Sequence, residues 1–508
     1  MIETSLNSQF TATADDVAKK RYVTIWRNIA YVIIAGGIGT AIMLSTTVEW
    51  PALAWALFVI ALTAIFYEPR YGLYAIMFFG LVGDITVSSY LPFDKNLSSA
   101  ESIFYLHDSA AISPVEIMFG LTAVSWILRL TMRRELYKIK YGGIFWVLLI
   151  FLGFMSISLV YGVLRRGDIF IAQFEYRPFV YIFVMYVLTR NLINNPKQIN
   201  ILFWCVMSAL FIEGVLAYIF IATQVFEYRD DLTEHSASIH YNTMYIMWIA
   251  SWVVRNGSWY KRLYLLALFP PVLFSYIRSD RRSAMLAVII AAGLCCLYLI
   301  QERNLLFKIM LPTGIILGIL YVGAFWNNNS TLGKPVQAVK SVVAPGEVNE
   351  KDQASNYYRY LENTNTHFTI TQAPLLGVGL GNRFLRIVEM PDISFFIFWE
   401  YITHNSVLWI WMQAGVFGFM SMIYLVGIGI MKGARVAWNL PSSEIKVFAM
   451  VCATYLVMHF IYAYVDISWT SQSMLYIGTS LGLIAIFEEY EERLDDGETV
   501  EDLYSIKA

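Results

Sequence analysis

The chain has 508 residues, of which 58% are hydrophobic, 16% aromatic and only 15% charged. A soluble domain is nearer half apolar and a quarter charged, so one large soluble core is excluded, as are disordered and collagen-like chains. Thirty-six Lys and Arg against 38 Asp and Glu leave a net charge of −2, which gives no global basic field to attract nucleic acid.

Residues 1–27 are polar and read as a cytoplasmic tail, not as a signal peptide, because no apolar run precedes the first span. A membrane span needs about 20 mostly apolar residues, since a helix rises 1.5 Å per residue through a core of about 30 Å. Runs that approach this are 28–46, 51–67, 72–90, 114–132, 143–163, 174–190, 199–222, 243–254, 262–277, 283–300, 305–325, 405–430, 445–465 and 471–487. The fold class is therefore all-α and polytopic, with roughly 12–14 transmembrane helices. The first part of the bundle covers 28–325 and the second 404–487. Between them lies one long polar loop, 326–403, expected to carry short helices over the membrane surface; an acidic tail, 488–508, follows. The 15 Trp and 33 Tyr suit membrane–water interfaces, where ring and polar tip are both satisfied.

Orientation follows from Lys and Arg in the short loops. With the N-terminus inside, the inner loops hold Arg70, Arg133, Arg134, Lys138, Lys140, Arg190, Lys197, Arg255, Lys261, Arg262, Arg303, Lys308, Lys432, Arg435 and Lys446. The acidic tail also falls inside. The outer side then holds 91–113, 164–173, 223–242, 278–282, 326–403 and 466–470.

A second set of cations breaks that rule. Arg165, Arg166, Arg177, Arg229, Arg278, Arg281 and Arg282 all map to the outer side. Asp84, Glu116, Glu175 and Glu213 map to the outer halves of their helices. Local ion pairing is one compensation; an anionic ligand is the other. Intramembrane ionisable groups face partners or a polar cavity. Arginine, with its planar fork and permanent charge, suits phosphate oxygens in such a cavity. Cys205, Cys295, Cys296 and Cys452 lie in apolar runs without ligand spacing and read as buried hydrophobes.

After the long loop comes Tyr401-Ile-Thr-His404-Asn405-Ser-Val-Leu-Trp-Ile-Trp-Met-Gln-Ala-Gly415-Val-Phe-Gly418. His-Asn, nine residues, then Gly-x-x-Gly resembles the signature of the O-antigen ligase and Wzy-type polysaccharide polymerase superfamily. Arg282-Ser-Ala-Met-Leu286 resembles that family's Arg-x-x-x-Leu helix start. Pro374-Leu-Leu-Gly377-Val-Gly379-Leu-Gly381 resembles its GvGlG segment, with Arg359 upstream, and Arg177 falls where members place an arginine at the head of a helix. The resemblance is clear over about 270–430 and diffuse elsewhere.

The resemblance implies a GT-C-like membrane glycosyltransferase. It would move a glycan from undecaprenyl pyrophosphate to an acceptor hydroxyl at the periplasmic face of the bacterial inner membrane. Neither cofactor nor metal is implied, and the sequence shows no Asp-x-Asp motif or histidine ligand spacing. Partners implied are the lipid-linked oligosaccharide donor, a glycan acceptor, the bilayer and other polysaccharide assembly proteins. Length and extra terminal helices favour a polymerase; a ligase acting on lipid A–core or on a protein shares every motif. A flippase or secondary transporter is the alternative of another class. It predicts charge through the full depth of the membrane.

Roles follow by chemistry. His404 would take the acceptor hydroxyl's proton, as an imidazole titrating near neutrality can. Asn405 would orient it or a sugar hydroxyl, and Asp466 would hold the imidazole or act as base itself. Arg282 and Arg177 would stabilise the departing pyrophosphate in an inverting displacement, with Arg278, Arg281 and Arg359 behind them. Arg229 and Glu116 complete the expected glycan and pyrophosphate contacts. Gly415 and Gly418 would permit close helix packing. His107, His235, His240 and His367 fall in outer loops, and His459 in the core.

Overall fold

The computed structural model describes residues 49–82, 93–99, 102–103, 105–107, 110–223, 237–254, 259–279, 281–300, 302, 305–328, 330–393 and 396–505, with a few isolated positions between 26 and 37. Most of the expected span 28–46, and Arg229, Asp280 and His235, lie outside the described residues. Among the described residues there is no strand. Expected spans from residue 51 onward coincide with helices as far as they are described. The helices are α1 (Glu49–Tyr67), α2 (Pro69–Val82), α3 (Pro114–Met132), α4 (Phe145–Leu164), α5 (Ile169–Leu192), α6 (Pro196–Thr223), α7 (Ala237–Val253) and α8 (Trp259–Arg278). They continue with α9 (Arg282–Ile300), α10 (Leu305–Phe325), α11 (Lys334–Val343), α12 (Glu350–Gln372), α13 (Ser406–Asn439), α14 (Glu444–Ala463), α15 (Ser471–Asp495) and α16 (Val500–Ser505).

Among the described residues, seven helices are long and apolar enough to cross a membrane: α3, α4, most of α6, α9, most of α10, α13 and α14. The protein is an all-α polytopic membrane protein. Others, such as α5 with Glu175, Arg177 and Arg190, carry polar groups within the span. Apolar side chains exposed along α10, Ile315, Ile316, Leu317, Ile319 and Leu320 among them, are what a lipid-facing helix requires.

The chain divides into two compact units. The described helices of the smaller are α1 to α3. Ser113 and Glu116 form a capping box at the start of α3: the Ser113 N–H donates to Glu116 Oε2 at 2.7 Å, and the Glu116 N–H to Ser113 Oγ at 3.3 Å. Arg129 on α3 pairs with Glu68 between α1 and α2 at 3.1 Å.

The larger unit holds α4 to α16. At its crossing of α5 with α15 a Cβ added at Gly478 or Gly482 would strike the Ile182 carbonyl or the Thr189 side chain of α5. Small residues at such crossings let helices approach where no hydrophobic drive exists in lipid.

The long loop is more ordered than expected. Besides α11 it contains α12, 23 residues long and mostly polar, started by Asn349 accepting from the Asp352 N–H at 2.8 Å. The glycine segment after it does more than turn the chain, and Gly415 does more than permit packing. Gly415 has φ +65, outside the helical range, and breaks α13. The carbonyls of Met412 and Gln413 lose their helical partners there. They accept instead from the Val378 N–H at 2.8 Å and the Gly379 N–H at 3.0 Å, while the Val416 N–H donates to Pro374 O at 2.9 Å. Gly377, Gly379 and Gly381 all have positive φ, between 70 and 85, which lets 374–381 thread the break. A broken helix survives at membrane depth when protein re-satisfies its backbone in this way.

Candidate active site

The break in α13 lies about 14 Å along the axis from its start, at 1.5 Å per residue. At that start, Asn405 caps the helix: its Oδ1 accepts the Leu408 N–H at 3.0 Å, and the residue is 3% exposed. Asn405 therefore spends its acceptor on the backbone and does not orient the imidazole. Its neighbour His404 stands just outside the helix.

The carboxylate at the imidazole is Glu362 of α12, not Asp466. Glu362 Oε2 accepts the His404 backbone N–H at 2.7 Å, and its two oxygens lie 3.0 and 3.2 Å from His404 Nδ1. Glu362 is 1% exposed, whereas the His404 side chain is 22% exposed. Among the described residues no hydrogen bond reaches His404 Nε2. The Tyr358 ring meets the imidazole edge-on, with centroids 5.8 Å apart. Burial, and behind it the charge of Glu362, pushes the Tyr358 phenol above its ordinary range, so it stays protonated.

Asp466, 1% exposed, sits instead against Arg359, with Oδ2 3.5 Å from Nη2. It also accepts from the Ser283 hydroxyl at 3.5 Å and the Ile467 N–H at 2.9 Å. Tyr462 lies within the field of Asp466, Arg281 and Arg359. The segment after Asp466 is fastened to the head of α13. Ser406 Oγ donates to Asp466 O and accepts the Ser468 N–H, both at 3.0 Å, and Trp469 Nε1 donates to Ser406 O at 2.7 Å. Arg282, first residue of α9, meets α12 as well: its Nε is 3.3 Å from Asp352 Oδ1, and Nη2 donates to Asn356 Oδ1 at 3.3 Å.

One helix thus touches three of the expected site residues. Asp352, Asn356, Arg359 and Glu362 follow one another at spacings of four, three and three, which keeps them on one side of α12. They meet Arg282, Asp466 and His404 in turn.

The remaining expected residues are placed differently. Arg177 lies half-buried on α5, before Pro178. Nearby on α5, Phe174 stacks on Phe398 at 4.3 Å and Phe179 on Trp409 at 6.2 Å, near the head of α13. Arg278 closes α8, and Arg281 lies in the short connection to α9. Glu116 serves the capping box of α3, in the other unit. Glu175 is buried and accepts the Gly381 N–H at 2.6 Å, so it secures the glycine segment. His240 is not in a loop: α7 begins at Ala237, and the buried His240 ring stacks on Tyr476 at 5.0 Å. His459 is in the core, as expected, beside Tyr455 and Trp469.

Sequence reasoning missed Glu362, Asp352 and Tyr358. The signal was present. Asn349 followed by Glu350 and Asp352 is a helix start, and the stretch to Gln372 contains neither Gly nor Pro.

The class so defined is a polytopic helical membrane protein with a histidine–glutamate pair and a row of arginine contacts at one end of the bundle. No group of three or more His, Cys, Asp or Glu that could hold a metal ion occurs among the described residues. Residues 266–423 match the family described as O-antigen ligase. An O-antigen ligase of Salmonella typhimurium (strain LT2) is 29% identical over 193 residues, a stretch that is 36% of this chain and 43% of that protein. The chain thus spans less than half of the relative it matches. These two findings bear out the resemblance to the O-antigen ligase and Wzy-type superfamily. The matched stretch contains Arg278, Arg281, Arg282, Arg359, Glu362, His404 and Asn405; Arg177 and Asp466 lie outside it.

Proposed function

We propose that the protein transfers a glycan from a lipid pyrophosphate to an acceptor hydroxyl at the end of the bundle that carries His404, on the periplasmic side of the inner membrane. The observation that carries this reading is the pairing of His404 with buried Glu362, one turn of α12 from Arg359.

In the reaction, His404 Nε2 takes the proton of the acceptor hydroxyl as its oxygen attacks the anomeric carbon. The bond from that carbon to the pyrophosphate oxygen breaks, and the electron pair leaves with the lipid pyrophosphate. Configuration inverts. Arg282, Arg281, Arg278 and Arg177 receive the negative charge that develops, where exclusion of water strengthens each interaction. Arg282 is held by Asp352 in this structure, so phosphate oxygens would replace that carboxylate as its partner. Arg359, paired with Asp466, sets the charge beside the base.

A polymerase is the acceptor reading that chain length favours. A ligase is the second reading, and a specific observation favours it: the Salmonella relative is described as an O-antigen ligase. Purified protein given only the lipid-linked repeat separates them. Longer lipid-linked products mean polymerisation; transfer that waits for a different acceptor means ligation. His404→Ala and Arg282→Ala proteins should insert and express but leave lipid-linked repeats to accumulate. Normal product in both would overturn the assignment.

A further inference from the structure

We propose that Glu362 is the positioning residue of this site: it fixes His404 as the Nδ1–H tautomer and leaves the Nε2 lone pair bare for the acceptor's proton. The inference deepens the glycosyl-transfer reading and rests on it for its role in catalysis, though not for the tautomer itself.

The argument starts from what a carboxylate can do. It accepts hydrogen bonds and has none to donate. Glu362 Oε2 already takes the His404 backbone N–H at 2.7 Å, which fixes the carboxylate against the loop. Nδ1 then lies 3.0 Å from the same oxygen and 3.2 Å from the other. Two acceptors facing one ring nitrogen are satisfied only if that nitrogen carries the proton. The opposite nitrogen, Nε2, is then a lone-pair acceptor. It is also the one without a hydrogen bond among the described residues.

The surroundings hold this arrangement rigid. Glu362 is 1% exposed and sits on a helix whose next turns are tied down. Asn365 Oδ1 accepts the Ile387 and Val388 N–H groups at 2.9 and 3.0 Å, and Thr369 Oγ1 accepts the Leu385 N–H at 2.8 Å. The Tyr358 ring adds a T-shaped contact with the imidazole, centroids 5.8 Å apart. A base whose second nitrogen is oriented by a third group is how a neutral histidine is kept ready for proton transfer.

The charged and titratable groups near His404 come from several elements. Glu362 and Tyr358 are on α12, and Arg359 lies between them. Asp466 sits beyond, on Arg359. Among the described residues only Glu362 bonds the ring.

Glu362→Gln tests the idea with little change of shape. The amide oxygen can still accept the His404 N–H, and it then lies at the position 3.0 Å from Nδ1, with the amide NH2 at the position 3.2 Å away. Nδ1 thus faces one neutral acceptor and one donor in place of two carboxylate oxygens, so its hold on the proton weakens and the Nε2–H form, in which the base is blocked, becomes populated. The measurement is a 15N spectrum of histidine-labelled protein in detergent, with His404 assigned by its loss in His404→Asn. It is recorded at about pH 9, well above the roughly 6.5 of a free imidazole. The wild type should show a protonated Nδ1 and a bare Nε2; Glu362→Gln should show a clear population of the Nε2–H form.

In the transfer assay, Glu362→Gln should lower kcat on the order of 100-fold with KM for the lipid-linked donor unchanged, and Glu362→Asp should recover to within about tenfold of wild type. A wild-type Nε2–H form, or a Glu362→Gln protein with wild-type spectrum and kcat, overturns the inference. If the wild type shows the expected tautomer but transfers no glycan, the glycosyl-transfer reading fails while the hold of Glu362 on His404 stands.

Discussion

His404 and Asn405 are adjacent, yet their side chains do unrelated jobs. Asn405 satisfies a backbone donor at the head of α13; His404 offers a ring nitrogen to the outside. The motif was legible in the sequence, but its division of labour was not, because capping depends on the φ and ψ of one residue. Asn405→Ala should therefore cost about 1 kcal/mol of stability, whereas Asn405→Ser should keep the cap and most transfer. Thermal unfolding in detergent with parallel transfer assays checks both; full loss of transfer in a stable Asn405→Ser protein would give Asn405 a chemical role after all. Asp466 shows the limit of linear reasoning. Its residue type and expected side of the membrane suited an imidazole partner. The imidazole partner is instead Glu362, 42 residues upstream of His404 in a loop whose internal structure the polar composition concealed. Arg359 and Asp466, by contrast, were both candidates and do meet.

At the scale of elements, α12 and the broken α13 make the site. Apolar runs gave the positions of the bundle helices well, since length and hydropathy dictate them. They gave nothing on α12, which is polar and must be recognised from its cap and its lack of breakers. The meaning of Gly-x-x-Gly was also hidden. Gly415 is required because its φ of +65 belongs to glycine, and because the Leu375 backbone occupies the space a Cβ would take. Gly415→Ala should destabilise by roughly 1–3 kcal/mol, read as a lower unfolding midpoint, whereas Gly427→Ala, where a Cβ meets nothing within 4 Å, should be neutral or better. The contact of α12 with α9 yields a separate expectation. Asp352 competes with phosphate for the Arg282 guanidinium, so Asp352→Asn should lower KM for the lipid-linked donor several-fold at unchanged kcat. A raised KM would mean that Asp352 orders the site instead of competing for it.

The larger unit gathers ion pairs at two ends, with buried polar groups such as Glu213, His240 and His459 between them. Opposite the His404 end, Glu489 pairs with Lys140 at 2.9 Å and Arg190 at 2.6 Å, Lys432 with Glu488 at 2.5 Å, and Arg435 with Glu491 at 3.2 Å. Lys140, Arg190, Lys432 and Arg435 are four of the cations that the loop-charge rule assigns to the inside, and within this unit they meet the carboxylates of one helix end. The acidic stretch expected to be a tail is in part the end of α15, and its carboxylates bind Lys140 and cations on α5 and α13. In a cysteine-free background, Tyr360→Cys on α12 should react with a membrane-impermeant maleimide in intact spheroplasts, and Glu498→Cys only after permeabilisation. The opposite pattern would invert the map and put the site on the wrong side for a periplasmic reaction.

The most direct measurement is glycan transfer by the purified protein in detergent. A lipid pyrophosphate-linked repeat is supplied with and without a second acceptor, and wild type is set beside His404→Ala. Transfer by the wild type and none by a folded His404→Ala protein is the expected result. Equal transfer by both, or none by the wild type with any acceptor, would contradict the reading of this site as a glycosyl-transfer centre.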